Sequence, residues 1–194
     1  MLPPLAPVIL TGKIVELRPL GPEHANDLGA AVGQLWELSY TNVPKPENLR
    51  AYIEVALDEQ RRGLSLPFVI IERATGRILG STRYGNISRE HRRVEIGWTW
   101  ITEEKQRSAV NTEMKYQLLQ YAFETLGCNR VELKTDLLNE RSQRAIARIG
   151  ATKEGVFRRH MIMPNGRVRD TVYFSVIADE WPQVKTRLEG MMAR

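Results

Sequence analysis

Apolar and polar residues alternate along Ile14-Val15-Glu16-Leu17-Arg18, and Pro19 closes the run, which predicts a first strand. Gly21-Pro22-Glu23-His24 then opens a helix carrying Leu28, Ala31 and Val32, with Pro22 where a helix start tolerates it. Trp36 to Pro46 has no periodicity. Leu49 to Arg61 returns to helical spacing, with Tyr52, Ile53, Val55, Ala56 and Leu57 as the apolar face. Pro67 to Glu72 reads as a buried strand, Ala74-Thr75-Gly76 as a turn, and Ile78 to Ile87 as the return strand of a hairpin. An aromatic-rich strand from Val94 to Ile101 precedes an amphipathic helix running to Leu126.

Arg130 to Asp136 alternates as a strand, and the helix after it is marked at both ends, by Asn139 as cap and Gly150 as terminator. Two late strands, Gly155 to Met161 and Thr171 to Ile177, join through Pro164-Asn165-Gly166. A last helix begins at Asp179 with Trp181, Val184 and Leu188 on one face. Antiparallel hairpins combined with one strand–helix–strand crossover make the fold class α+β, with helices packed on a central mixed, mostly antiparallel, twisted sheet. Neither a repeat nor a linker interrupts it. The expectation is one domain over residues 1–194, with 1–10 an extended N-terminal segment.

Candidate chemistry concentrates at Gln106-Arg107-Ser108-Ala109-Val110-Asn111-Thr112. A strand ending at Trp100-Ile101, a short turn and a helix start leave backbone N–H groups unpaired and aimed one way, with the positive end of a helix dipole behind them. That arrangement suits a pyrophosphate. Lys105 and Arg107 stand where phosphate charge would be met, and Asn111 is a natural N-cap.

The composition is ordinary for a globular chain: 194 residues, 42% apolar, 26% charged. No apolar run approaches the ~20 residues that span a bilayer, so no membrane association is expected. Cys128 is the only cysteine, which excludes internal disulfides and fits a reducing, cytoplasmic setting. No His/Glu spacing suggests a metal. The net charge of +5 is dispersed, with only pairs such as Arg61-Arg62 and Arg92-Arg93 and no interleaved aromatics, so nucleic acid is not the expected partner. An anionic cofactor fits the charge better.

In order and spacing the chain from Leu10 onward resembles the GNAT (GCN5-related) N-acetyltransferases, and among them the RimJ/RimL-type ribosomal-protein N-acetyltransferases. Asn111-Thr112-Glu113, Tyr121-Ala122-Phe123-Glu124, Asn139-Glu140-Arg141-Ser142, Gly150-Ala151, Arg169-Asp170-Thr171-Val172 and Glu180-Trp181-Pro182 carry the likeness. It implies acetyl-coenzyme A as cofactor, held along Trp100, Ile101 and residues 106–112, with Asn139 and Ser142 near the pantetheine arm and thioester. The pair Asn139 and Ser142 also reads as a plain helix cap. The family's phosphate turn carries glycine at the positions of Ala109 and Asn111, so this chain departs from the pattern there. Its common tyrosine acid is missing, and Tyr173 is a distant substitute.

The resemblance further implies direct attack of a primary amine on the thioester in a ternary complex. Ser142 would protonate the leaving thiolate, Glu95 would act as general base, and a backbone N–H of the Trp98 to Ile101 strand would hold the oxyanion. His24 and His160 are rival bases. Trp36, Glu37 and Tyr40 are the expected contacts to a cationic amine, which is a protein N-terminus or a small molecule. A homodimer is left open. Other readings are a non-catalytic coenzyme A-binding regulatory module, transfer of a larger acyl group such as succinyl, and an RNA-associated protein.

Overall fold

The computed structural model describes residues 1–193. Strands β1 (Leu10–Thr11), β2 (Val15–Pro19), β3 (Leu66–Glu72), β4 (Ile78–Ser88), β5 (Arg93–Ile101), β6 (Arg130–Asp136), β7 (Thr152–Ile162) and β8 (Val168–Ile177) form one sheet in the order β1-β2-β3-β4-β5-β6-β8-β7. Every neighbouring pair is antiparallel except β5–β6. The helices are α1 (Ala25–Val32), α2 (Leu49–Arg61), α3 (Ala109–Gln120), α4 (Glu140–Arg148) and α5 (Trp181–Met192). This is the α+β class expected, a mixed and mostly antiparallel sheet flanked by helices.

Alternation along the strands divides the interior in two. Val94 and Ile96 of β5, Val131 and Leu133 of β6, and Val172 and Phe174 of β8 join the larger core beneath α3, α4 and α5. Val69, Ile71, Ile78 and Trp100 face the other way, into a smaller core closed by Leu28 of α1 and Ile53 of α2. The second face is therefore covered only over one half of the sheet.

Boundaries shift where the pattern is weakest. α3 ends at Gln120 and continues as a π turn, Tyr121–Thr125, in which the Leu126 N–H donates to the Tyr121 carbonyl at 3.0 Å. β7 and β8 run longer than alternation suggests. β7 lies at the sheet edge with most side chains in solvent, so no apolar periodicity marks its ends. The first nine residues hold no regular structure, yet Leu2 is fully buried; its N–H donates to the Arg89 carbonyl at 2.8 Å and its carbonyl accepts from Arg89 Nε at 3.0 Å.

Candidate active site

The parallel pairing of β5 with β6 lasts three residues, Arg93–Arg130, Val94–Val131 and Glu95–Glu132. Beyond it, β5 stays bonded only to β4, and β6 only to β8. The sheet opens between Ile96–Ile101 and Leu133–Asp136, and a cleft of about 780 Å³ fills the opening. β5 also carries a bulge: Ser81 faces Trp100 and Arg83 faces Gly97, so Trp98 and Thr99 together oppose Thr82. Trp98 takes a φ of 50°, and its ring lies where a Cβ on Gly85 would come within 2.3 Å of it. That ring and Tyr52 enclose the buried Arg83 guanidinium at 5.0 and 4.8 Å, and Glu59 pairs with it at 3.0 Å.

On the α3 face, Gln106 Nε2 donates to the Ile101 carbonyl at 2.9 Å and fastens the turn to the end of β5. Ser108, not Asn111, is the N-cap of α3: its backbone is extended and its hydroxyl oxygen accepts the Val110 N–H at 3.3 Å. The expected Asn111 cap is displaced because Ser108 already stands at the chain's last extended residue; Asn111 lies inside the first turn and lines the cleft. The positive φ in this turn, 61°, falls on Arg107. Ala109 and Asn111, the two positions that depart from glycine, are helical and need no left-handed conformation. The amides opening α3 have no carbonyl a turn behind them within the helix.

The proposed cofactor residues divide by side chain. Trp100, Ile101, Gln106, Arg107, Ser108, Asn111, Asn139 and Ser142 line the cleft. Ala109 is exposed, Val110 enters the larger core, and the buried Thr112 hydroxyl accepts from Arg148 Nη2 at 2.9 Å, so none of these three lines the cleft with its side chain. Asn139 caps α4, accepting the Ser142 N–H at 3.0 Å, and the same two residues face the cleft. Lys105 is taken by Glu72 at 2.5 Å. Arginines that sequence reasoning passed over also line the cleft, from α4: Arg141, Arg144, which pairs with Glu140 at 3.0 Å, and Arg148. Their i, i+3, i+7 spacing was the available signal.

Lys115 was also missed. One turn beyond Asn111 on α3, it is buried at the cleft wall and donates to Thr99 Oγ1 at 3.1 Å, without an ion-pair partner among the described residues. Burial pulls its ammonium down from 10.5 to about 7, against the opposing field of Glu95.

Glu95, Lys134, Asp136 and Arg169 project on the opposite face. Glu95 is buried, salt-bridged to Lys134 at 2.9 Å and accepting from Asn86 Nδ2 at 2.5 Å. Tyr40 lines this side with Leu35, Leu38 and Tyr52. Trp36 and Glu37 do not; Lys45 lies over the Trp36 ring at 4.9 Å, and Glu37 is exposed. His24 Nδ1 accepts the Gly21 N–H at 2.9 Å, a structural duty at the start of the first helical turn. His160 stands against Phe157 and Tyr173 on the outer strands, at 5.4 and 5.7 Å between ring centres. Burial raises the Cys128 thiol to about 12, leaving it protonated and unreactive.

A sheet opened in this way lets a long anionic donor, held on the α3–α4 face, present its end to the opposite face, which is the geometry of an acyltransferase. Residues 15–152 match the acetyltransferase (GNAT) domain family, and the chain belongs to it; it is an N-acetyltransferase whose fold binds coenzyme A. A GCN5-related N-acetyltransferase from Brucella melitensis superposes with a TM-score of 0.88 at 30% identity, covering 98% of this chain and 88% of that one. Bacillus subtilis YoaA, an uncharacterized N-acetyltransferase, is 27% identical over 88% of this chain and 97% of its own length. Mycobacterium smegmatis RimJ, solved with CoA-disulfide, shares the fold at a TM-score of 0.78 and 23% identity, over 94% of this chain and 91% of its own. No helix among the described residues is long and apolar enough to cross a membrane.

Proposed function

We propose that this protein moves an acetyl group from acetyl-coenzyme A to a primary amine, either the α-amine of a protein N-terminus or the amine of a small molecule, by direct attack with both partners bound. The observation that carries this reading is the alignment of the β5–β6 opening with the start of α3 and the arginines of α4. The group fits: the amides of Ala109 and Asn111 in the first turn of α3 and the guanidinium groups of Arg107, Arg141, Arg144 and Arg148 would meet its phosphates, and Asn139 and Ser142 its arm. When bound it supplies an activated acyl carbon.

The chain's own residues do the rest. The bulge at Trp98–Thr99 breaks the ladder, so an amide between Trp98 and Ile101 is free to hold the acyl oxygen. Glu95, paired with Lys134, receives the amine's proton; an α-amine has a reference pKa of about 7.7–8.0 and needs little help, so positioning dominates. Ser142 gives a proton to the departing sulfur. Cys128, buried and protonated, offers no covalent route.

Thiol release from acetyl-coenzyme A over an amine panel tests the activity directly. Ser142→Ala is expected to lower kcat about tenfold or more while leaving cofactor affinity within about twofold. Equal kcat in variant and parent removes Ser142 from the acid role, and thiol release that no amine stimulates removes the transferase reading.

A further inference from the structure

The acceptor face carries one cation too many. Alternation along β5, β6 and β8 puts Glu95, Lys134, Asp136 and Arg169 on the side of the sheet away from α3 and α4. Two of the charges are acidic, and both are already satisfied. Glu95 holds Lys134 and Asn86, as described. Asp136, fully buried, is salt-bridged to Arg167 and accepts the Leu138 N–H at 2.9 Å.

Arg169 is left over. It is 7% exposed, it lines the cleft, and its guanidinium makes no hydrogen bond to a described residue. Its approach to Asp136 is 3.8 Å from Nε, and that nitrogen is buried without a partner. Thr171 Oγ1, on the same strand face, is likewise buried and unpaired. A guanidinium withdrawn from water and left without hydrogen bonds is costly, and the cost is recovered when an anion meets it. A planar fork of donors suits a carboxylate, which it can bind through two parallel hydrogen bonds.

We propose that Arg169 is the anion-recognising residue of the acceptor site, and that the natural acceptor is a primary amine whose own body carries a carboxylate. The inference rests on the transferase reading above and narrows it. Arg169 lies two residues along β8 from the Asp136–Thr171 pair, roughly 7 Å nearer the mouth of the opening, so the carboxylate sits outward of the amine. Polycationic acceptors such as polyamines or aminoglycosides are disfavoured, because the face offers no unpaired carboxylate to receive them. The carboxylate belongs either to a free amino acid or to an acidic residue close behind a peptide N-terminus.

Matched acceptors separate these outcomes: an amino acid against its amide, and a tripeptide with Asp or Glu at its second position against the Asn or Gln form. With the parent enzyme and acetyl-coenzyme A, kcat/KM for the acid form in one arm is expected to exceed the amide by about tenfold or more. The arm that shows it identifies the source. In Arg169→Met that ratio falls to about one, and Arg169→Lys restores part of it. A ratio near one in the parent in both arms, or a ratio that survives Arg169→Met, overturns the proposal. If no amine is acetylated, the transferase reading fails separately. Calorimetry with coenzyme A present then compares an N-acetyl amino acid with its amide. Heat from the acid alone, lost in Arg169→Met, sustains the subsite; no difference between the two overturns it.

Discussion

Two buried charges on α3 behave in opposite ways, and each is set by what surrounds one side chain. Glu113 accepts three backbone amides, from Lys13 at 2.8 Å and from Ile14 and Val15 at 2.7 Å, across about a hundred residues of chain. Gly12 sits so close that a Cβ there would come within 2.6 Å of the carboxylate. Replacing Glu113 with Ala leaves buried donors unpaired, and urea denaturation should show a loss of about 3 kcal/mol. A loss below about 1 kcal/mol would mean that the β1–β2 turn finds water instead. Lys115, buried at the cleft wall with Thr99 Oγ1 as its hydrogen-bond acceptor, has no such set of partners.

The sign of the Lys115 effect follows from its lowered pKa. Between about 7 and 10.5 the unfolded chain holds a proton that the folded chain has released, so stability rises with pH across that window. Below 7 both states are protonated and the whole burden of a buried ammonium falls on the fold. Lys115→Met in the ligand-free protein is therefore expected to melt higher than the parent at pH 6, with the gain shrinking toward pH 10. Parallel melting curves for the two proteins over that range would show that Lys115 titrates normally.

Elements with strong periodicity and marked ends were legible in the sequence. β2, the β3–β4 hairpin with Gly76 at a φ of 72°, α2, β6 and α4 fall within a residue or two of their expected limits. The two-residue β1 was not, because its pairing with Leu17 and Glu16 is decided by the turn that Glu113 holds. Nor was the cap of α3. Ser108 and Asn111 are both good capping residues three positions apart, and the choice between them depends on where Gln106 anchors the turn to Ile101. The phosphate-type turn itself could be read because strand, turn and helix start are local. The acceptor face could not, since Trp36 and Glu37 looked suitable by residue type while Arg169 reaches the cleft only through pairing with strands that lie far away in sequence.

At the scale of the whole molecule, the +5 net charge understates what a ligand meets. Arg107, Lys115, Lys134, Arg141, Arg144, Arg148 and Arg169 line the cleft against two acids, Glu95 and Asp136. Low-dielectric walls focus such a field inside the opening. The opening itself is a missing set of hydrogen bonds between β5 and β6, which no residue pattern announces; it appears only when the strands on either side claim their own partners. Because the cleft joins helices α3 and α4 to both halves of the sheet, a ligand bound there should stabilise the entire fold rather than one segment. Coenzyme A at about a hundred times its dissociation constant contributes about 2.7 kcal/mol, which for a chain of this length raises the melting temperature by roughly 5–10 °C. The shift should shrink as salt screens the arginines, and Arg141→Ala combined with Arg144→Ala should reduce it at low salt. A melting temperature indifferent to coenzyme A would show that the amides and arginines around the opening do not form a phosphate site.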